Sequence, residues 1–252
     1  MAFQAGDGVE AAMSAPCRPK GEYRSAKHGG FLTRALSAST WMLAAAVALS
    51  ACANRPPPPD WQMNAKGSME RALEAYLTGN TRIEALEFAR ARAEVARTGQ
   101  PELMARVELT RCAALVASLA FDDCPGFAAL AADVGPAERA YAAYLRGAAL
   151  SSFEAGLLPE QHRTVATSTS PAEALADIDD PLSRLVAAGA LLRGGRAQPA
   201  VIAQAAATAS ARGWSRPLLA WLGVQAQRAR DAGDADEAAR LQRRMDWVAG
   251  KN

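Results

Sequence analysis

Thiols, imidazoles and clustered carboxylates do most side-chain chemistry, and this chain is sparing with the first two. Its 252 residues include four cysteines, Cys17, Cys52, Cys112 and Cys124, and two histidines, His28 and His162. Only His162 lies in the body of the chain, after "LPEQ" at what reads as an exposed helix start. One imidazole without free thiols cannot build the usual zinc site. No G-x-S-x-G elbow supplies a nucleophile for it either. His162 is therefore expected at the surface. The run "DIDD" gathers Asp177, Asp179 and Asp180. A calcium loop needs more oxygen ligands and a turn glycine at fixed spacing, so these carboxylates read as charge at the start of a helix opening on Pro181. Gly194-Gly195 lacks the Lys-Ser/Thr of a phosphate loop. Glu138, Glu154 and Glu160 read as helix-surface residues. No catalytic residue, metal site or cofactor emerges.

The elements that would carry these residues are helices. Half the residues are hydrophobic but only 6% are aromatic, and alanine makes up much of the apolar share. Alanine forms helices well because it loses no side-chain entropy. Beyond residue 67 there is no period-2 alternation, and proline and glycine recur in the order expected of helix starts and ends. Helices are predicted at 68–78, 81–98, 101–120, 126–133, 136–155, 159–166, 171–177, 181–194, 199–212, 216–232 and 235–249. The first carries an apolar stripe of Met69, Leu73, Tyr76 and Leu77. The second carries Ile83, Leu86 and Val95, with Ala89 and Ala93 between. The third is apolar at Leu103 and Val107 and nearly all round from Cys112, which predicts burial of its C-terminal half. On its polar side Glu102 and Arg106 stand four apart, a favourable spacing for an ion pair. Ser170 before Pro171 and Glu173 suits a helix cap. Short connections predict antiparallel hairpins. The fold class is all-α, a bundle or a short solenoid.

The front of the chain differs. Residues 35–52, "ALSASTWMLAAAVALSAC", hold no charge and follow Arg34. A positive region, an apolar region and small residues make a secretory signal. The run falls short of the roughly 20 apolar residues of a spanning helix; a retained anchor helix is the alternative. Residues 1–34 are long for a positive region and include Asp7, Glu10 and Glu22, so translation is expected to begin downstream of Met1, with Met13 a candidate. The formal charge of +2 comes from this front; beyond residue 51 acidic and basic residues balance. A neutral body argues against binding nucleic acid by bulk electrostatics.

Leu49-Ser50-Ala51-Cys52 resembles the lipobox of bacterial lipoproteins at all four positions. The resemblance implies that Leu49, Ser50 and Ala51 direct cleavage and that Cys52 becomes the lipid-bearing first residue. One acyl chain binds a bilayer marginally, whereas two or three hold stably. An ordinary signal with Cys52 incidental is the bland alternative. In that family an aspartate after the cysteine favours inner-membrane retention. Ala53 and Asn54 stand here, which implies an outer-membrane anchor with the body in the periplasm. Pro56 to Pro59 favour an extended polyproline conformation. Residues 52–66 thus read as anchor and spacer, 1–51 as leader and 67–252 as the helical domain. A ligand for a proline-binding domain is the other reading of the prolines.

An oxidising compartment would leave Cys112 and Cys124 to pair. Eight helical residues from 112 to 120 span about 12 Å at 1.5 Å each, and "FDDC" can return over that distance if it turns sharply. The loop would contribute roughly 3 kcal/mol in the chain-entropy model. Two buried thiols are the alternative.

Near the C-terminus, "LLAWLGVQAQRARDAGDADEAARLQRRMDWV" resembles a tetratricopeptide unit. Trp221-Leu222-Gly223 and Ala226 match its first helix, and Ala238 the small position of its second. The first helix is longer than that repeat allows, and no fixed period runs through residues 68–252. The resemblance implies paired helices that present a binding surface.

Two functions follow. The favoured one is a non-enzymatic interaction module, anchored in the membrane through Cys52 and binding an envelope protein, with Trp214, Trp221 and Trp247 either binding anchors or helix packing. The other is a cell-wall-acting enzyme on an all-α scaffold.

Overall fold

The computed structural model describes residues 57–250. The leader, the Leu49-Ser50-Ala51-Cys52 motif and Pro56 lie outside the described residues. From Asp60 onward the chain forms one unit of twelve helices, and the described residues contain no strand. They are α1 Asp60–Leu77, α2 Thr81–Ala96, α3 Pro101–Ala117, α4 Pro125–Ala128, α5 Pro136–Leu145 and α6 Ser152–Gly156. Then come α7 Glu160–Thr167, α8 Pro171–Ala176, α9 Pro181–Arg193, α10 Pro199–Arg212, α11 Ser215–Asp231 and α12 Ala235–Val248. Among them no helix is long and apolar enough to cross a membrane.

Local chemistry sets the boundaries. Proline opens α3, α5, α9 and α10 at the first turn, where a missing N–H costs no intrahelical bond. Asn80, Asp180 and Asp234 accept from the backbone N–H groups of Ile83, Ser183 and Glu237, which satisfies free donors of the first turn. Asp180 therefore plays the helix-start role expected of "DIDD". Ser170 precedes α8, but its side chain makes no cap bond. Gly213 takes φ 66° and closes α10, its N–H turned to the carbonyls of Ala209 and Ser210.

Three expectations change. First, α1 begins at Asp60 rather than 68, so residues 60–66 belong to the helix and not to the spacer. Gly67 lies inside α1, where burial of Ala65, Ser68 and Met69 outweighs its poor propensity. Second, the stretch 136–155 is not one helix. α5 stops at Leu145 and α6 starts at Ser152. Gly147, at φ 74°, turns the chain, and its backbone abuts Gly194 so closely that a Cβ would meet the Gly194 nitrogen at 2.5 Å. Third, α2 buries Val95 as expected but turns Ile83 and Leu86 outward. Glu84, Glu87, Phe88 and Ala91 face inward with Val95.

The core is built around α9, whose residues Leu182 to Leu191 are almost all buried except Arg184. α9 packs on α3, α10 and α5. At Gly189 the helix comes so near α3 that a methyl would overlap the Val116 carbonyl. Alanines and this glycine allow the close approach that larger side chains would prevent. The hairpins α1–α2 and α11–α12 flank this centre. α11 also packs on α1, far away in sequence. Trp214 Nε1 donates to Glu74 Oε2 at 3.2 Å, and Ser215 Oγ donates to the Thr78 carbonyl at 3.1 Å. Arg216 stacks over Tyr76 at 4.2 Å. These contacts tie the last large hairpin back to the first.

Candidate functional site

Four glutamates are buried along α2, α3 and α5, each met by an arginine at the rim. Glu84 Oε1 accepts from Arg111 Nε at 2.9 Å, and Glu138 Oε1 accepts from Arg106 Nε at 3.1 Å. Glu87 is held by Arg71 at 2.8 Å and Arg90 at 2.6 Å. Arg92 Nε lies 3.1 Å from Glu108 Oε1 but outside hydrogen-bonding direction, so this is an ion pair without a formed hydrogen bond. α2 and α3 thus exchange carboxylate for guanidinium in both directions. Phe88 sits between them with Arg111 4.9 Å and Arg92 6.0 Å from its ring centre.

The placements of Glu138 and Arg106 correct the sequence reading. Glu138 is buried rather than on the helix surface, and Arg106 turns to it across the α3–α5 contact. Glu160 is exposed as expected, and Glu154 is half-buried. Glu154 closes a capping box with Ser151, whose hydrogen bonds hold its carboxyl below the usual range.

Environment separates these carboxyls chemically. The hydrogen bond from Arg71 holds Glu87 below the ordinary carboxylate value. Burial pushes Glu108 up, against the pull of Arg92 and Arg111. Glu108 also has α4 above it: a methyl at Gly126 would overlap its carboxyl group.

His162 is the second cluster and the clearest correction. It is 0% exposed, not a surface residue. α7 is a short amphipathic helix whose inner side is His162, Val165 and Ala166. The imidazole packs against Tyr144 at 5.1 Å and Tyr141 at 5.8 Å between ring centres. Its Nδ1 lies 3.3 Å from Tyr144 Oη, and Nε2 has no hydrogen-bond partner among the described residues. Burial drives its pKa down to about 3 and pushes both tyrosines upward. A neutral, enclosed imidazole beside protonated phenols packs and positions; it has no open face for a reacting molecule.

Cys112 and Cys124 are brought together, their sulfurs paired and their Cα atoms 5.8 Å apart, within disulfide range. An Asp122 carboxylate oxygen lies within 4.8 Å of both sulfurs. Paired sulfurs have no thiolate to give a metal ion. Asp177 and Asp179 are exposed, and the latter does not join the capping of α9.

The tryptophans divide. Trp221 is fully buried and its Nε1 donates to the Ala117 carbonyl at 3.0 Å. Trp214 is buried in the α1–α11 seam. Trp247, on the outer helix α12, is 67% exposed. Met63, Ile83 and Leu86 on the α1–α2 hairpin are exposed as well.

Two of the buried glutamates, Glu84 and Glu87, had a signal in the sequence. Phe88, Ala91 and Val95 define one face of α2, and extending it backward by helical spacing reaches Glu84 and Glu87. His162 had a weaker one, the apolar Val165 and Ala166 at three and four residues beyond it. No protein-family model matches the chain, and neither curated proteins nor solved structures yield a significant match.

Proposed function

We propose that this chain is a lipid-anchored envelope protein whose helical body acts as a non-enzymatic interaction module in the periplasm. Cys52 carries the lipid, after cleavage directed by Leu49, Ser50 and Ala51, and the outer membrane holds it. The partner is another envelope protein, and the tetratricopeptide-like α11–α12 hairpin offers the binding face. The observation that supports this most is the split between tryptophans: two are spent on packing, while Trp247 stands 67% exposed on the terminal helix. A large amphipathic ring left in solvent is the residue type that anchors interfaces.

In-cell crosslinking followed by mass spectrometry tests the reading on wild type, Cys52→Ser and Trp247→Ala. A partner captured by wild type, lost without the anchor and weakened without the indole, is the expected result. An unmodified Cys52 in the mature N-terminal peptide ends the anchor reading. A partner captured equally by the Trp247 variant ends the role of α12.

A further inference from the structure

The disulfide and the buried Glu108 are neighbours, and the spacing on both helices makes them one unit. Glu108 stands one turn before Cys112 on α3, while Gly126 stands two residues after Cys124 at the head of α4. Sulfur meets sulfur, and beside it Gly126 lies on the Glu108 carboxyl. Glu108 is 5% exposed, and its Oε1 accepts no hydrogen bond. The charged groups around it are Arg92 from α2 and Arg111 from α3, the latter also engaged by Glu84.

We infer that the Cys112–Cys124 disulfide is a redox-released latch that holds α4 shut over the Glu108 carboxyl, so that reduction opens this turn and admits solvent to Glu108. Three features support it. α4 has four residues, far below the length at which a helix holds itself in water. Cys124 has φ 47°, a left-handed conformation that non-glycine residues keep only where surroundings over-determine it. Here the cross-link and the Asp122 carboxylate, which accepts the Cys124 N–H at 3.0 Å, hold that conformation. The remaining anchors are not covalent: Phe127 is buried, and Arg193 of α9 donates to the Asp122 carbonyl at 3.2 Å, pairs with Asp123 at 3.6 Å and lies over the Phe121 ring at 5.2 Å. The loop preceding Cys124, Ala120 to Asp123, is exposed and free of regular structure, and its contacts with Arg193 are the polar ties that opening must break.

The chemistry balances with a dithiol reductant. Its thiolate attacks one sulfur and the S–S bond breaks. The second reductant thiolate then attacks the reductant sulfur of the mixed disulfide, closes a cyclic disulfide and expels the remaining protein sulfur. Two electrons and two protons pass from the reductant to Cys112 and Cys124, which end as thiols. Once α4 lifts, the burial that raises Glu108 is gone while Arg92 and Arg111 remain, so the carboxyl becomes more acidic. The latch thus couples thiol redox state to a carboxyl's charge, independently of any membrane anchor.

The test compares oxidised full-length protein with the same protein in dithiothreitol, and with the C112S/C124S variant. The amides of Ala128, Ala129 and Leu130, bonded to the carbonyls of Cys124, Pro125 and Phe127, report on α4 by hydrogen exchange. Carbodiimide labelling reports on Glu108. Closure across 12 residues is worth roughly a hundredfold in the chain-entropy model. Reduction is expected to speed exchange at these amides about a hundredfold and to expose Glu108 to label. The double-serine variant should match the reduced state, and α11 and α12 should keep their protection. Equal protection and labelling in both states overturns the latch. Loss of protection throughout α5, α9 and α11 also overturns it, because the bond would then staple the whole fold.

Discussion

Tyr144 Oη and His162 Nδ1 lie 3.3 Å apart inside a core that leaves the other imidazole nitrogen unpartnered among the described residues. The geometry suits the neutral imidazole: a second proton would add charge with no acceptor for Nε2. This is the physical meaning of a pKa lowered from 6.5 to about 3 by burial.

An acid-stability prediction follows from that shift. Between the folded and unfolded values the unfolded chain binds the extra proton, so stability rises with pH across this window. The contribution is whole above about pH 6.5 and is lost as pH falls toward about 3. At 1.36 kcal/mol per pH unit the loss is bounded at roughly 5 kcal/mol. His162→Gln, which keeps a polar group but does not titrate, should lose less stability over that window than wild type. Urea midpoints followed by circular dichroism from pH 7 to 3 measure the difference; parallel curves for the two proteins would refute the assignment.

Gly189→Ala should destabilise by about 1–3 kcal/mol, as overpacking does. The added methyl would strike the Val116 carbonyl, which is backbone and cannot rotate away. Thermal unfolding reads the effect. Gly156→Ala is the control, since open space surrounds that position.

Arg106→Ala should cost about 1–2 kcal/mol, below the 3–5 kcal/mol of a fully buried pair. Glu138 is left with 7% side-chain exposure and no guanidinium, but Arg106 itself is 42% exposed, so water screens the pair. Adding Glu138→Gln should restore part of the loss, because the stranded charge is removed. A double-mutant cycle in guanidinium chloride checks both outcomes.

The tryptophans should separate stability from binding. Trp221→Ala should cost about 3–5 kcal/mol, since it empties a fully buried site and strands the Ala117 carbonyl. Trp247→Ala should change stability by less than about 0.5 kcal/mol while weakening capture of the partner. A denaturation midpoint and a crosslinking yield on the same two variants distinguish these roles.

Much of the helical order was legible because proline and glycine mark it. Pro101, Pro136, Pro181 and Pro199 open helices where expected. Glycine and proline misled in one place: Gly67 and the prolines before Asp60 hid the start of α1, which tertiary burial of Met69 and Ala72 sustains. The break at Gly147 depends on Gly194 arriving from the far side of α9, which no local pattern contains. The approach of Cys112 and Cys124 was expected from a helix end and a short return, and α3 ends at Ala117, nearer to Cys112 than the expected end at 120. Polar residues fared worse, because pattern reading places charge outside. Glu84, Glu108 and Glu138 are buried because arginines on neighbouring helices reach them. His162 is buried because α5 supplies two aromatic rings. Both facts belong to packing between elements distant in sequence.

The seam between α1 and α11 has a consequence for synthesis. Glu74 waits for Trp214, 140 residues later, and Thr78 for Ser215, 137 later. Contacts of such separation form late, because the closure entropy of the intervening chain must be met first. A chain ending before α11 leaves the Tyr76 ring without its Arg216 cover and the α1 end of the first hairpin bare. Protease sensitivity near Tyr76 should therefore report whether α11 has docked: a chain cut short before Gly213 is expected to be nicked there, and the chain that carries α11 is not.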